Sequence, residues 1–272
     1  MEDIINLYAD SANMNLINIC KPLLNMGWYL DNDGKLKTPT KIATNITWVF
    51  ASQDDTRKCD LWYGVFFNVF GWLPSACLSC WKVVVRPKTL EDLFNLHEMQ
   101  KELGLSSKCG IEIRETVFGL YGGYFYADTQ AQGAVIYEEV SKEVQKRLAE
   151  GTPVIFKRGC TEFEHKYGDS ASWEDHITEE QIHMERRLDR FLETHERIPQ
   201  PEVVKHSIYK RWIEYAYSNG DPTYRKFTGG KDLYTPYRTY NEMVPEILYG
   251  QKNHDPERGT GTEHEESPGP PG

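Results

Sequence analysis

The sequence predicts an α+β protein whose central part is a ferredoxin-like βαββαβ domain. Hydrophobic residues make up 39% and charged residues 26% of the 272 residues, which is typical of a globular protein and excludes collagen-like, coiled-coil and wholly disordered chains. Between residues 81 and 157, segments with strand periodicity and helix periodicity follow each other, separated by Gly, Pro and polar residues. Their order is strand, helix, strand, strand, helix, strand, the split βαβ arrangement with both helices on one face of a four-stranded antiparallel sheet.

The first half of this domain contains a strand, a helix and a second strand. The β-branched run 81–86 is followed directly by proline, which predicts the first strand. Thr89 can cap a helix that ends before Gly104. In residues 109–115, isoleucines alternate with glutamate and arginine, which predicts a second, half-buried strand.

The second half repeats this order. The aromatic run 120–126 predicts the third strand. Asp128 or Thr129 can cap the next helix, whose apolar residues recur every four positions up to the glycine stop at Gly151. The apolar run 153–157 predicts the fourth strand.

The segments before and after this domain are expected to pack against it or extend from it. The turn signal Asn32-Asp33-Gly34 predicts a hairpin near the start. The predicted organisation is an aromatic-rich α/β layer in residues 1–75, the ferredoxin-like domain in 76–168, a helical and Tyr-rich extension in 169–250 and a disordered tail in 251–272.

Charge, hydropathy and cysteine content limit the class of protein. The acidic start lacks a signal peptide's basic region, and no apolar run reaches the roughly 20 residues that cross a bilayer, so we expect a cytoplasmic protein without a membrane contact. The net charge of −10 argues against a general nucleic-acid coat. Six cysteines are too few for a disulfide scaffold, so clustered thiols would be metal ligands, catalysts or buried apolar groups.

Four cysteines flank the predicted strands. Cys77 and Cys80 precede the first strand, Cys109 begins the second and Cys160 follows the fourth. In the predicted topology these positions lie at one end of the sheet, and Cys59 is the substitute ligand if Cys109 lies too far away. Four thiolates suit either tetrahedral zinc or an iron–sulfur cluster, and the aromatic flanks slightly favour the cluster. The sequence therefore predicts a cysteine-ligated metal site in an accessory or regulatory protein.

Two other interpretations of these cysteines stay open. Free cysteine is among the most buried residue types, so the thiols could simply pack in the core. Alternatively, Cys77 and Cys80 could form a redox dithiol, although a thioredoxin-like pair follows a strand and this pair precedes one. No residue pattern identifies a reaction, so whether the chain is an enzyme also stays open.

An alternative function, nucleic-acid binding or processing, depends on other residues. Strand alternation after the fourth strand would place Glu162 and Glu164 on one face, where Glu112 could join them around a divalent ion, although solvated surface charge gives the same pattern. The segment 209–240 interleaves Lys and Arg with tyrosines that could bind single-stranded nucleic acid, anchor a protein partner or complete the core. The candidate nucleic-acid ligands are Arg211, Tyr224, Arg225, Lys226, Lys231 and Arg238.

Overall fold

The described part of the chain is a mixed α+β protein with two sheets, in which all but one of the strand pairs are antiparallel. Among the described residues, no helix has the length and apolar composition to cross a membrane. One compact unit, Met1–Lys231, is separated from the rest of the chain at Asp232. The predicted tail 251–272 and Arg238 lie outside the described residues. The computed structural model describes residues 22–25, 27–33, 35–37, 47–51, 58–193 and 200–233.

The elements are numbered here in chain order. The strands are β1 (Tyr29–Leu30), β2 (Leu36–Lys37), β3 (Trp48–Phe50), β4 (Trp81–Val85), β5 (Ser107–Ile111), β6 (Tyr121–Ala127), β7 (Val154–Arg158) and β8 (Leu192–Glu193). The α-helices of seven or more residues are α1 (Leu90–Leu103), α2 (Gln130–Arg147), α3 (Thr161–Tyr167), α4 (Glu179–Phe191) and α5 (Glu202–Ser218). Shorter helical segments are Cys59–Leu61, the π-helical Trp62–Phe67, and the 3₁₀ segments Ser75–Ser79, Ser170–His176 and Pro222–Phe227.

The larger sheet has the strand order β3-β5-β6-β4-β7, and each neighbouring pair is antiparallel. Helices α1 and α2 cover one face: a Cβ on Gly123 of β6 would meet Leu96 of α1, and a Cβ on Gly133 of α2 would meet Phe156 of β7 at 2.5 Å. Because side chains alternate along a strand, the positions between these helix-facing ones point to the opposite face of the sheet. We call it the helix-free face because α1 and α2 do not cover it.

Helix α1 begins and ends where the sequence predicts. The side chain of Thr89 accepts a hydrogen bond from the backbone N–H of Asp92 at 3.1 Å, which satisfies a donor of the first turn. Gly104 ends the helix with φ +63°, a left-handed conformation that glycine adopts without steric cost. At the start of α2, Thr129 accepts in the same way from the N–H of Gln132.

The second predicted strand is shorter than expected and begins earlier. Strand β5 ends at Ile111, whereas the alternating pattern predicted a strand through Glu115. Ile113, which the pattern placed on the buried face, is 67% exposed. The reason is that the buried Glu112 carboxylate binds the backbone N–H and guanidinium of Arg114, which organises a loop instead of a strand.

The predicted hairpin near the start is present as the antiparallel pair β1–β2. One carboxylate oxygen of Asp31 accepts hydrogen bonds from the N–H groups of Asp33 and Lys35, a typical way for aspartate to stabilise a turn. Strand β2 also pairs in parallel with β8, which follows α4. The aromatic run 61–73 packs against this sheet, with Leu61, Val65 and Phe66 fully or nearly fully buried.

Buried carboxylates join distant parts of the fold. Asp221 accepts hydrogen bonds from the N–H of Leu90 at 2.6 Å, the hydroxyl of Tyr121 at 2.7 Å and the hydroxyl of Thr223 at 2.7 Å. It thereby ties the segment after α5 to the first turn of α1 and to β6. Glu185 of α4 similarly accepts from the N–H of Ser75 at 3.1 Å.

Candidate functional site

Four of the five described cysteines lie around the start of β4. Cys77 is buried in the 3₁₀ segment before the strand, and Cys80 ends that segment. The N–H of Gly159 donates to the carbonyl of Cys80 at 2.7 Å, which extends the β4–β7 ladder by one pair and brings the next residue, Cys160, beside Cys80. Cys160 packs against the same apolar cluster as Cys77.

The turn after β7 fixes the position of Cys160. Gly159 adopts φ +59°, and a Cβ at this position would meet the ring of Trp173 at 2.5 Å. Only glycine satisfies both requirements without strain. The chain therefore leaves the sheet at Gly159, and Cys160 becomes the N-cap residue of α3.

The closest described partner of the Cys160 thiol is a buried lysine. Lys82, on the helix-free face of β4, is 8% exposed, and its Nζ donates to the Sγ of Cys160 at 3.0 Å. The same ammonium lies 5.7 Å from the ring centroid of Tyr126 on β6. Burial alone would lower the pKa of Lys82, but the negative charges of Cys160 and Cys80 raise it well above its ordinary value.

The four thiols also affect each other. Burial raises the pKa of the Cys77 thiol well above its ordinary value, and the charges of Cys160, Cys80 and Cys59 raise it further. Cys59 begins the helical segment that leads into the aromatic run, whose Trp62 and Tyr63 pack against the cluster that holds Cys77. The proximity of Cys59 thus completes a group of four thiols, which we call the thiol cluster: Cys59, Cys77, Cys80 and Cys160.

A second lysine occupies the helix-free face beside Lys82. The Nζ of Lys108, on β5, lies 4.9 Å from the ring centroid of Trp48 and 5.8 Å from that of Tyr124. Burial and the nearby charge of Lys82 lower the pKa of Lys108 to about 8, while the thiols of the cluster act in the opposite direction. In the described part of the chain, no carboxylate forms an ion pair with Lys82 or Lys108.

Cys109 does not join the thiol cluster. It lies in the middle of β5 rather than at its start, and it pairs with Gly123, whose missing side chain faces Leu96 of α1. Its thiol is therefore on the helix-covered face, where burial, and then Glu98, raise its pKa well above the ordinary value. The sequence placed Cys109 at the end of the sheet because the alternating pattern set the strand start two residues too late.

The described residues do not present a ready metal site. Among them, no group of three or more His, Cys, Asp or Glu side chains is arranged so that it could hold a metal ion. Of the predicted ligands, Cys77, Cys80 and Cys160 lie close together, the substitute Cys59 interacts with them, and Cys109 lies on the other face of the sheet.

The carboxylates proposed for a divalent ion bind cations of the protein instead. Glu162 and Glu164 lie on α3, not on a strand, so residues two apart point in different directions. Glu162 accepts from Arg114 at 3.0 Å, and Glu164 accepts from Lys157 at 2.5 Å. Arg114 is also held by the buried Glu112, so a guanidinium occupies the space between Glu112 and Glu162.

The Glu112 carboxylate is the centre of a polar network on the helix-free face. It accepts from the hydroxyl of Tyr124 at 2.7 Å and from Arg114 at 2.6 and 2.7 Å, with Arg86 at 3.4 Å. Burial alone would raise the pKa of Glu112, but these partners, Arg114 foremost, lower it. These contacts hold the Glu112–Arg114 ion pair in one arrangement. This favours a structural role for the network.

The Tyr-rich segment mainly completes the core where it is described. Tyr224 is 5% exposed, and the hydroxyl of Tyr209 lies 2.9 Å from Nε2 of His97 on α1. The hydroxyl of Tyr215 donates to the carbonyl of Glu112 at 3.2 Å. Lys226 pairs with Glu91 at 2.5 Å, the guanidinium of Arg225 lies 5.6 Å from the ring centroid of Tyr224, and Lys231 is exposed.

Sequence reasoning missed Lys82 and Lys108. Lys82 lies inside the first predicted strand, whereas Lys108 lies in β5 but just before the second predicted strand, 109–115; both share the helix-free face with Tyr124 and Tyr126. A lysine within a β-branched run of a central strand was the available signal, because lysine is almost never fully buried unless it is paired. This signal applies to Lys82; the predicted start of the second strand left Lys108 outside it.

Comparison with known proteins found no matching family model, no matching curated protein and no matching solved structure.

Proposed function

We propose that this protein binds a metal centre through the thiol cluster of Cys59, Cys77, Cys80 and Cys160. The observation that carries the proposal is the 3.0 Å contact between the Nζ of buried Lys82 and the Sγ of Cys160, with Cys80 beside them. A buried ammonium requires a negative partner. The side chain in contact with this ammonium is the Cys160 thiol, and a thiol carries negative charge most stably when it ligates a metal.

The charges on the helix-free face support a tetrathiolate centre. Four thiolates on one Zn²⁺ ion leave a net charge of about −2. Lys82 and Lys108 together supply two positive charges, and both interact electrostatically with Cys160. The centre and the two lysines would therefore be neutral as a group, which reduces the cost of keeping each of them away from water.

The surroundings also suit a metal site. Cys77 and Cys80 are each 6% exposed, and Cys77 packs in an apolar cluster with Phe163 and Trp173. Such an environment excludes water and competing ligands from metal–thiolate bonds. Because the thiols do not form a ready site without metal, ligand binding requires side-chain rotation at the cluster, and the metal–thiolate bonds contribute to folding free energy.

The proposal predicts that metal removal destabilises the fold. A metal that binds only the folded chain raises the free energy of unfolding, so a strong chelator should lower the melting temperature by several degrees, and re-added metal should restore it. Calorimetry with and without chelator measures this, and mass spectrometry after alkylation should show the cluster thiols becoming reactive. A melting temperature and alkylation pattern unaffected by chelator would contradict the proposal.

We also propose that β4, α1, β5, β6, α2 and β7 form a ferredoxin-like domain. The strand order β5-β6-β4-β7, with each neighbouring pair antiparallel and both helices on one face, supports this assignment, and β3 would be an additional edge strand. The boundaries 76–168 and a cytoplasmic location remain predictions. An experimental structure with β4 and β6 separated by another strand would contradict the fold assignment.

A further inference from the structure

We infer that the protein forms a symmetric dimer in which strand β7 pairs with β7 of a second copy. In the described part of the chain, β7 is the last strand of the larger sheet, so one of its two sides has no neighbouring strand. The two copies run antiparallel about a two-fold axis at Phe156, and their larger sheets join into one. This inference goes beyond the proposed metal centre and does not depend on it.

The hydrogen bonds of β7 determine which of its backbone groups face outward. The N–H of Arg86 donates to the carbonyl of Pro153, and the N–H of Gly159 donates to the carbonyl of Cys80. In the antiparallel register of this pair, the odd-numbered residues of β7 therefore bond to β4, and the even-numbered ones direct their N–H and C=O groups away from it. The outward-facing residues are Val154, Phe156 and Arg158. Their backbone groups have no hydrogen-bond partner within the ranges that the structure describes.

The charged side chains of β7 do not protect this free edge. Lysine and arginine on an edge strand normally oppose pairing with another chain. Here both cations are already neutralised, because Lys157 pairs with Glu164 at 2.5 Å and Arg158 pairs with Glu174 at 2.8 Å. The exposed side chain of the strand is apolar, since Ile155 is 44% exposed. The edge thus offers unpaired backbone groups beside an apolar side chain.

A second copy of β7 is complementary to this edge. In an antiparallel pair centred on Phe156, each outward-facing residue exchanges backbone hydrogen bonds with an outward-facing residue of the other copy. Ile155 then lies opposite Lys157 of the second copy, and Val154 lies opposite Arg158 of the second copy. No like charges face each other in this register. A register centred on Arg158 would place two guanidinium groups opposite each other and leave most of the strand unpaired.

The side chain at the two-fold axis is aromatic. The ring of the half-buried Phe156 packs against Trp81 of β4 and Tyr137 of α2, with centroid distances of 5.1 and 6.2 Å. In the dimer, Phe156 lies directly opposite its own counterpart, which extends this group of rings across the interface. Aromatic pairs at opposing positions of two strands stabilise their pairing.

The other edge of the larger sheet explains why association stops at two copies. The outer edge of β3 is occupied by the side-chain amide of Gln200, which bonds to the N–H of Phe50 and the carbonyl of Trp48. Once β7 has paired with β7, both edges of the joined sheet are β3 strands bound by Gln200. A two-fold dimer is therefore closed, whereas a sheet with two free edges would assemble without limit.

The first test measures association of the full-length chain by sedimentation equilibrium over a range of concentrations. The wild type should show a monomer–dimer equilibrium. Ile155→Lys places a lysine opposite Lys157 at two positions of the dimer and should weaken association roughly tenfold or more, because like charges in opposing positions destabilise a strand pair. Val203→Lys, which changes an apolar residue of α5 that is 76% exposed, is the matched control and should associate like the wild type. A monomeric wild type, or equal association of Ile155→Lys and the wild type, would overturn the inference.

The second test locates the interface in the wild type by hydrogen exchange of single amides. The amides of Val154, Phe156 and Arg158 should exchange slowly in the dimer and faster on dilution. Those of Ile155 and Lys157 bond to β4 in both states, so they are the internal control and should not respond to dilution. Exchange that is independent of dilution at the outward-facing amides would overturn the inference. If slow, it would mean that another segment of the chain covers the edge, and if fast, that the edge stays unpaired.

Discussion

At the scale of single residues, the helix-free face holds cations in different surroundings, some paired with a carboxylate, one in contact with a thiol and one among aromatic rings. Arg86 and Arg114 are paired with Glu112, as buried charges usually are. Lys82 contacts the thiol of Cys160, and Lys108 lies among aromatic rings. Under the proposed function, the Glu112 network is a structural ion-pair network, whereas metal-bound thiolates would supply the negative partner of Lys82.

A buried histidine gives a prediction about pH. Burial between α1 and α5 lowers the pKa of His97 from 6.5 to about 4, so the unfolded chain binds a proton at a higher pH than the folded chain. The free energy of unfolding should therefore fall as the pH drops from 6.5 towards 4, by up to about 3 kcal/mol from this residue.

Urea unfolding at several pH values checks this prediction. His97→Gln cannot take up the proton, so its stability should decrease less than that of the wild type over this pH range. His183→Gln, which changes an exposed histidine of α4, is the matched control and should follow the wild type. Identical pH profiles for His97→Gln and the wild type would show that His97 does not titrate as its burial requires.

At the scale of elements, within the described part of the chain a side chain binds the outer edge of the larger sheet. Gln200 accepts from the N–H of Phe50 at 3.0 Å and donates to the carbonyl of Trp48 at 2.9 Å. The Gln200 amide thus makes the two hydrogen bonds that a neighbouring strand would make with the outer edge of β3. Edge strands need such protection because their backbone groups otherwise offer a template for pairing with another chain.

Removal of this amide should loosen β3 without unfolding the protein. Gln200→Ala deletes two hydrogen bonds, each contributing about 1 kcal/mol, so the amide of Phe50 should exchange with solvent roughly tenfold faster or more. Hydrogen exchange followed by mass spectrometry measures this, with Gln145→Ala on the exposed face of α2 as control. Unchanged protection in peptides covering β3 would contradict the capping role of Gln200.

The sequence predicts the existence and order of elements better than the contacts between them. Local signals such as Thr89, Thr129 and Gly104 locate helix ends well, because capping depends on neighbouring residues. The stretch after Ile111 was predicted wrongly, because the Glu112 carboxylate binds the backbone N–H and guanidinium of Arg114 and organises a loop there. Similarly, α3 was not predicted, so the directions of Glu162 and Glu164 were assigned incorrectly.

The candidate site was predictable in part. Proximity of Cys77, Cys80 and Cys160 follows from the predicted ends of the first and fourth strands. The face of the sheet toward which the Cys109 side chain points depends on the strand register. Sequence patterns do not determine that register to within one residue. The approach of Cys59 depends on how the aromatic helical segment packs against α3, a long-range contact with no local signature.

At the scale of the whole molecule, the fold brings segments far apart in the sequence to one end of a sheet. The thiol cluster combines a segment before β4, the turn after β7 and the start of the aromatic run. Helices α1 and α2 cover the opposite face of that sheet. Metal binding at this point would tie the N-terminal region to the sheet.

Metal content per chain in two cysteine variants is the measurement that decides whether this thiol cluster is the site. Protein purified without oxygen should carry metal in the wild type and in Cys109→Ser, because Cys109 lies on the helix-covered face. Cys59→Ser should lose most of the metal, because Cys59 is the fourth thiol of the cluster. Metal retained in Cys59→Ser but lost in Cys109→Ser, or absent from the wild type, would contradict the proposed site.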